Sequence, residues 1–175
     1  KKELSAYSLG ATLYMPATRI DIVDTIVTGK IAGLRSLVIC LEDAVSEQDM
    51  PFAMNNLKGM LNALSEAKQR INYVEWPLVF IRPRNEQIGL QLTAEYDLSA
   101  INGFVLPKFN LSNLNEWTAI LELTHLCWMP TLETEDVFDV NAMLALVSEL
   151  KAHKCRDKII ALRIGGNDLM NCVSL

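Results

Sequence analysis

The sequence predicts an α/β fold in which short strands alternate with helices along the chain. Three observations support this prediction: short apolar runs recur, segments of helical period separate them, and an ionisable residue lies near the end of each run. Runs of a few residues that are apolar on both faces fit strands covered on both sides, as in a parallel sheet. The six expected strands are Thr12–Met15, Ser36–Leu41, Pro77–Ile81, Gly103–Pro107, Leu126–Leu132 and Lys158–Ile164.

Helices are expected between these strands because apolar residues there recur three and four positions apart. In the first helix Ile22 and Ile26 share one face, and Thr18 and Asp21 are predicted to cap it as a pair. Ser112 is the candidate cap of a later helix. The longer helical segments are Met50–Gln69, Leu111–Leu123 and Val137–His153, and the polar segment Glu86–Ala100 is predicted to form a loop and a short helix.

Composition and charge exclude several classes of function. The 175 residues are 50% hydrophobic, as in a globular protein, and no linker or repeat divides them, so we expect one domain over residues 1–175. The 16 basic and 21 acidic residues give a net charge of −5, which argues against a nucleic-acid partner. No apolar run approaches the roughly 18 to 20 residues of a spanning helix, and the start lacks the apolar core of a signal peptide. We therefore expect a cytoplasmic protein without a membrane partner.

The cysteines, histidines and tryptophans are predicted to be structural. The cysteines show no CxxC spacing and are expected to be free thiols in a reducing compartment. The histidines lie within or at the ends of predicted helices, and the tryptophans are expected to pack in the core. These residues are Cys40, Cys127, Cys155, Cys172, His125, His153, Trp76, Trp117 and Trp128.

Charged residues near the ends of the predicted strands form the candidate site. A doubly wound sheet would carry a Gly-rich phosphate turn after its first strand, where this chain has the sequence YMPATR. A (β/α)8 barrel would instead gather the carboxyl ends of all its strands at one mouth. Both architectures are open on this evidence. The strand-end residues are Arg19, Glu42, Asp43, Arg82, Arg84, Lys108, Glu133 and Asp168.

Each of these residues also has an ordinary structural interpretation. Glu133 lies before a predicted helix and Asp168 near the start of another, so either carboxylate could cap a helix. Arg82 could form an ion pair with an acid after the second strand, which is compatible with a second role in binding. For Lys108, solvent exposure or a salt bridge explains the residue as well as a substrate contact does.

Several motifs occur in the order and spacing of one enzyme family. They are SLVICLEDAV, VFIRPRN, GFVLPKF, PTLETEDVF and IGGNDL, with YMPATR as a variant of the family's opening turn. In these motifs the chain resembles, over nearly its whole length, the citrate lyase β-chain-like proteins of the HpcH/HpaI aldolase and malyl-CoA lyase superfamily. The resemblance implies a TIM barrel, a magnesium ion, and cleavage or formation of a carbon–carbon bond next to a carboxylate or acyl-thioester.

The resemblance also implies ligands for the metal and for the substrate. Glu133 and Asp168 match the family's metal ligands, which suits a hard cation that takes one or two protein carboxylates. Arg82 matches the residue that binds the substrate carboxylate, with Arg84 as the less favoured match. A guanidinium is suited to this role because it grips a carboxylate with two parallel hydrogen bonds.

Further residues are assigned to the mouth by the same resemblance. Glu42 and Asp43 would act with Arg82 in catalysis, either by orienting water or a base or by holding neighbouring loops. Arg19 and Lys108 match substrate-binding positions around the mouth. The expected partners are a small carboxylate or acyl-CoA substrate and further copies of the chain in a homo-oligomer, a trimer or larger.

The chain departs from the family's pattern at three places. Cys40 stands where an Asp is common, and Ala17 stands where the opening turn usually has Gly. The sequence stops at Leu175, so only about the first six βα units of a barrel are expected, with the C-terminal part missing. The aldolase branch has a His base near the second strand, and its absence here favours the citrate-lyase-like branch.

The sequence therefore predicts a magnesium-dependent carbon–carbon lyase that works through a metal-stabilised enolate. The first alternative is a catalytically inactive barrel that acts as a binding or scaffold component of a larger complex. The second alternative is a carboxylate- or nucleotide-binding protein of the doubly wound type.

Overall fold

The computed structural model describes residues 4–70 and 76–173, in which six parallel strands alternate with six α-helices. The strands are β1 (Thr12–Pro16), β2 (Ser36–Cys40), β3 (Leu78–Arg82), β4 (Gly103–Leu106), β5 (Cys127–Leu132) and β6 (Arg163–Ile164). The helices are α1 (Ile22–Val27), α2 (Met50–Arg70), α3 (Glu86–Glu95), α4 (Leu111–Leu121), α5 (Val140–Ala152) and α6 (Gly166–Val173). The predicted α/β class is confirmed.

The sheet is a curled part of a TIM barrel. Its strands pair in chain order from β1 to β6, and every pair is parallel. A doubly wound sheet reverses its strand order at a switch point, so the doubly wound alternative is wrong. The two edge strands also approach each other, because the guanidinium of Arg163 in β6 lies 5.1 Å from the ring centre of Tyr14 in β1.

Alternation along the strands divides the apolar residues into two cores. One set faces outward against the helices and contains residues such as Leu37, Ile81 and Phe104. The other set, which we call the barrel floor, faces inward and consists of Leu9, Val38, Phe80, Val105 and Met129. Because successive side chains on one face of a strand are two residues apart, the next inward residues lie above this floor, at the carboxyl ends of the strands.

The sixth strand is shorter than predicted. The sequence favours a strand over Lys158–Ile164, but Arg156–Lys158 forms a 3-10 turn and Ile159 makes only an isolated bridge to Trp128. Lys158 has another partner: its ammonium donates hydrogen bonds to carbonyls at and just beyond the end of α4, including that of Glu122 at 2.7 Å. The last carbonyls of a helix lack partners within the helix, so they attract such a donor.

Two predicted helix caps are wrong. Asp21 precedes α1, but its carboxylate accepts hydrogen bonds from Arg19 at 2.9 and 2.6 Å and makes no capping bond, so no cap pair with Thr18 forms. At α4 the cap is Asn110, whose side chain accepts the backbone N–H of Ser112. The backbone of Asn110 is extended, which is the conformation that a capping residue needs. The short helix expected between Glu86 and Ala100 is present as α3.

Gly103 allows β4 and β5 to approach closely, and its replacement tests this packing. A Cβ atom at Gly103 would collide with the backbone carbonyl of Cys127, so we expect Gly103→Ala to lower the free energy of unfolding by about 1–3 kcal/mol. Gly59 in α2 is the matched control because a Cβ there meets nothing within 4 Å. We expect Gly59→Ala to raise stability by about 0.5–1 kcal/mol. Urea unfolding measures both changes, and equal effects would contradict the close approach.

Candidate active site

A cavity of about 330 Å³ opens at the carboxyl ends of the strands. Its walls come from β1, β2, β3, β5 and β6 and from the turn that leads into α6. Four of the strand-end residues identified from the sequence line it, namely Asp43, Arg82, Glu133 and Asp168. These residues are far apart in the sequence, and the parallel arrangement brings them to one mouth, as the barrel prediction requires.

Arg82 is the centre of the site. It is the last residue of β3, lies on the inward face two residues beyond Phe80, and is only 6% exposed. Its Nε and Nη2 donate to Oε2 of Glu42 at 2.9 and 2.6 Å, and Nη2 also donates to Oε1 of Glu133 at 2.8 Å. Buried charges need such partners, because an unpaired ion in an apolar interior is costly. The predicted ion pair between Arg82 and the acids after β2 is thus present.

The pKa values of this cluster follow from burial and charge. Burial alone would lower the pKa of Arg82, but the charges of Glu133 and Glu42 outweigh it and raise that pKa. For Glu42, burial favours the neutral acid, yet the charge of Arg82 and hydrogen bonds lower its pKa overall. Asp43 differs, because burial, the hydrogen bond that its neutral acid donates to Glu42 and the charge of Glu42 together raise its pKa.

Glu133 is held by two donors through the same oxygen. Its Oε1 accepts from Arg82 and from the backbone N–H of Lys108 at 2.8 Å. Lys108 has φ of +46°, a conformation that residues other than glycine seldom adopt and that is associated with functional sites. On the other side, a Cβ atom at Gly165 would collide with Oε2 of Glu133, so this glycine makes room for the carboxylate. Asp139 caps α5, so Glu133 is not its cap.

Asp168 presents a buried oxygen without a partner. It lies in the first turn of α6 and lines the cavity, and its Oδ2 is buried with no hydrogen-bond partner among the residues that the structure describes. An orphaned buried oxygen of this kind calls for a ligand, a water or an ion. Together with Glu133 it supplies the oxygen donors that Mg²⁺ prefers. The donor set therefore fits magnesium.

The number of protein ligands is small. Within residues 4–70 and 76–173, no three His, Cys, Asp or Glu side chains are gathered in a way that could hold a metal. Magnesium does not need such a cluster, because it commonly binds through one or two carboxylates and keeps water and substrate oxygens in its other positions. The arrangement suits magnesium better than zinc, which takes three or four protein ligands.

Three other predicted site residues lie at the edge of the mouth or outside it. The ammonium of Lys108 is exposed and lies 3.5 Å from Oε1 of Glu42. Arg84 donates to the carbonyl of Val45 at 2.9 Å, and Arg19 forms a surface ion pair with Asp21. Neither of these two arginines lines the cavity, and their roles in substrate binding stay predictions.

Sequence reasoning assigned no site role to several residues that line the cavity, among them Tyr14, Thr131 and Arg163. All three lie within predicted strands, where their side chains read as ordinary strand residues. The signal that could have found them is the period of two, because Thr131 precedes Glu133 by two residues and so shares its inward face. Cys40, the position where the chain departs from the family's pattern, lines the cavity as well.

The tryptophans and histidines, which are expected to be structural, do not line the cavity. Trp117 and Trp128 are fully buried in the outer core, and Trp76 packs against it. His153 follows α5 and its Nε2 lies 3.1 Å from Oγ1 of Thr118, whereas Nε2 of His125 lies 3.3 Å from a backbone carbonyl. The packing role predicted for the tryptophans is confirmed.

Comparison with known proteins gives the family. A family model described as C-C bond lyase of the TIM-barrel fold matches residues 3–175. The chain belongs to this family. Its description agrees with the parallel strands in chain order and gives carbon–carbon bond cleavage as the reaction class of this lyase family. No curated protein matches the sequence. Among the described residues, no helix is long and apolar enough to span a bilayer.

Replacing Arg82 tests the electrostatics of the candidate site. Arg82→Gln leaves Glu42 and Glu133 buried without their cation, so we expect a loss of about 3–5 kcal/mol in the free energy of unfolding at pH 7. The lowered pKa of Glu42 means that its stabilising contribution is present above the unfolded pKa, about 4.3, and is lost as the pH falls through the folded value. The difference between parent and variant should therefore shrink as the pH falls below about 4.3.

Urea unfolding at several pH values measures this difference. Arg19→Gln is the control because it removes an arginine from an exposed ion pair, and such a pair contributes little to stability. A loss for Arg82→Gln that does not change with pH would show that Arg82 acts by packing and not by neutralising the two acids.

Proposed function

We propose that the protein is a magnesium-dependent carbon–carbon lyase of the citrate lyase β-chain-like type. It would cleave or form a bond next to a carboxylate or an acyl-thioester. The observation that carries the proposal is the unpartnered buried oxygen of Asp168, which lines the same cavity as Glu133. Membership of the C-C bond lyase family supports the reaction class, and the motif resemblance supports the closer assignment.

Glu133 and Asp168 are the residues that would hold the metal. A bound magnesium ion would supply positive charge to stabilise the enolate that carbon–carbon cleavage produces. The protein's own contribution is to orient the ligands. Arg82 and the N–H of Lys108 both hold Oε1 of Glu133, so the rotation of this carboxylate is fixed and Oε2 is directed toward Gly165. Fixed ligands of this kind lower the cost of reorganisation on binding.

Asp43 is the acid best suited to exchange a proton in this site. Its side chain is 66% exposed and lies 3.6 Å from Nη2 of Arg82, whereas Glu42 is buried and paired. Burial and the neighbouring charge of Glu42 raise the pKa of Asp43, which brings a carboxyl closer to the range in which it can both accept and donate a proton. In this proposal Glu42 holds Arg82 in place, and Asp43 accepts and donates the proton at its own Oδ2.

The size of the cavity favours a small acid as the reacting part of the substrate. A volume of about 330 Å³ is at the low end for ligand pockets, so the CoA portion of a thioester substrate would lie outside the mouth. A cytoplasmic location belongs to the same proposal, since all four cysteines are free thiols. Assembly into a homo-oligomer, a trimer or larger, is also proposed, and sedimentation analysis tests it.

Calorimetry with magnesium tests the proposal directly. We expect the protein to bind Mg²⁺, and to bind oxaloacetate more tightly when Mg²⁺ is present. Asp168→Asn removes one anionic ligand with little change in shape, so the affinity for Mg²⁺ should fall by about tenfold or more. Asp157→Asn is the matched control because Asp157 is 90% exposed in the turn before β6 and does not line the cavity.

The outcomes separate the proposal from its alternative. If the parent protein shows no heat of binding that depends on magnesium, the lyase proposal fails and the inactive scaffold is favoured. If the parent binds Mg²⁺ and Asp168→Asn binds it equally well, Asp168 is not a ligand.

A further inference from the structure

Arg82 has no free edge with which to grip a substrate carboxylate. A guanidinium grips a carboxylate bidentately through two adjacent donors, either Nε with Nη2 or the two Nη nitrogens. Both edges of Arg82 include Nη2, and this nitrogen already donates to Glu42 and to Glu133. Arg82, which the motif resemblance assigns to the substrate carboxylate, therefore already uses both of its paired-donor edges to bind Glu42 and Glu133. A bidentate grip on a substrate carboxylate would therefore need another cation.

Arg163 lines the cavity as a cation that has no acidic partner among the described residues. It belongs to β6, is half-buried and lines the cavity. In the part of the chain that the structure describes, no carboxylate lies within ion-pair distance of its guanidinium and no hydrogen bond engages it; its one described contact is the Tyr14 ring at 5.1 Å. The ring face attracts the cation and holds it at the cavity wall without using any of its N–H donors.

Thr131 supplies an independent observation at the same place. It is the register partner of Arg163 across the β5–β6 pair, so the two side chains point to the same inward face. The residue is 1% exposed, it lines the cavity, and its Oγ1 is buried without a hydrogen-bond partner among the described residues. A buried hydroxyl without a partner is costly, and a ligand oxygen would satisfy it.

We propose that Arg163 and Thr131 form the subsite that binds a carboxylate of the substrate. The Tyr14 ring supports the guanidinium from one side, and the hydroxyl of Thr131 donates to the same carboxylate. Glu133 lies two residues beyond Thr131 on the same face of the chain, about 6–7 Å further toward the mouth. One end of a small 2-oxo acid would therefore lie at Arg163 and Thr131 while its reacting end lies between Glu133 and Asp168. This inference rests on the proposed lyase function.

Calorimetry with oxaloacetate, with and without Mg²⁺, tests this subsite. We expect Arg163→Gln to raise the Kd for oxaloacetate by about tenfold to a hundredfold, because a charge-assisted pair is lost. Thr131→Val keeps the shape and removes the hydroxyl, so a rise of about threefold to tenfold is expected. Arg163→Lys keeps the charge but lacks the planar pair of donors, so its Kd for oxaloacetate should lie between those of the parent and Arg163→Gln.

Two controls separate binding from folding and from general charge. Arg156→Gln makes the same change of charge in the exposed turn before β6, outside the cavity, and should leave the Kd unchanged. Thermal unfolding of every variant is the second control. All titrations are made below the unfolding temperature of each variant. If Arg163 had a purely structural role, its replacement would lower that temperature and leave the Kd unchanged.

The outcomes distinguish this inference from the proposed function. If the parent binds Mg²⁺ and oxaloacetate, and Arg163→Gln binds both equally well, the subsite is wrong while the lyase proposal stands. If Arg163→Gln loses oxaloacetate but still binds Mg²⁺ alone as the parent does, the subsite is supported. Inorganic phosphate is a second probe: tighter binding of phosphate than of oxaloacetate at Arg163 would overturn the carboxylate assignment, and a parent that binds no carboxylate would overturn both proposals.

Discussion

The buried contact of Arg82 with Glu42 and Glu133 is the constraint on which the rest of the mouth depends. It joins the carboxyl ends of three strands, because Arg82 ends β3, Glu42 follows β2 and Glu133 follows β5. An ion pair of this kind is weak evidence of net stability, since apolar residues of the same volume often serve a core equally well. Its value here is geometric: it fixes how a carboxylate faces the cavity and thereby places Oε2 of Glu133 beside Gly165.

The barrel floor explains why the charges can lie so close to a core. Phe80 and Met129 close the interior below the mouth, and Arg82 and Thr131 lie two residues further along the same faces. In β3 and β5 the inward-facing side chains therefore change from apolar to polar over two residues. The apolar side chains of the barrel floor exclude water, which strengthens the electrostatic interactions of the polar groups directly above them.

The polar groups of the cavity fall into two classes. Arg82 and Glu42 are engaged with each other, and they serve to position their neighbours. Among the residues that the structure describes, Asp168 and Thr131 have buried oxygens without hydrogen-bond partners, and the guanidinium of Arg163 has no acidic partner. The second class is what a ligand would satisfy. It contains a carboxylate, a hydroxyl and a guanidinium, which in the proposals above would bind a metal and a small acid.

The sequence by itself determined the alternation of strands and helices and the presence of Glu42, Arg82 and Glu133 at strand ends, because burial and period are local properties that each segment carries. Only the tertiary structure decided which of these groups are already engaged. The contacts of Arg82 span 40 residues to Glu42 and 51 to Glu133, and the pairing of Thr131 with Arg163 depends on strand register. Such contacts depend on how the sheet curls and on which donors and acceptors the fold brings within hydrogen-bond distance. No local sequence pattern specifies either.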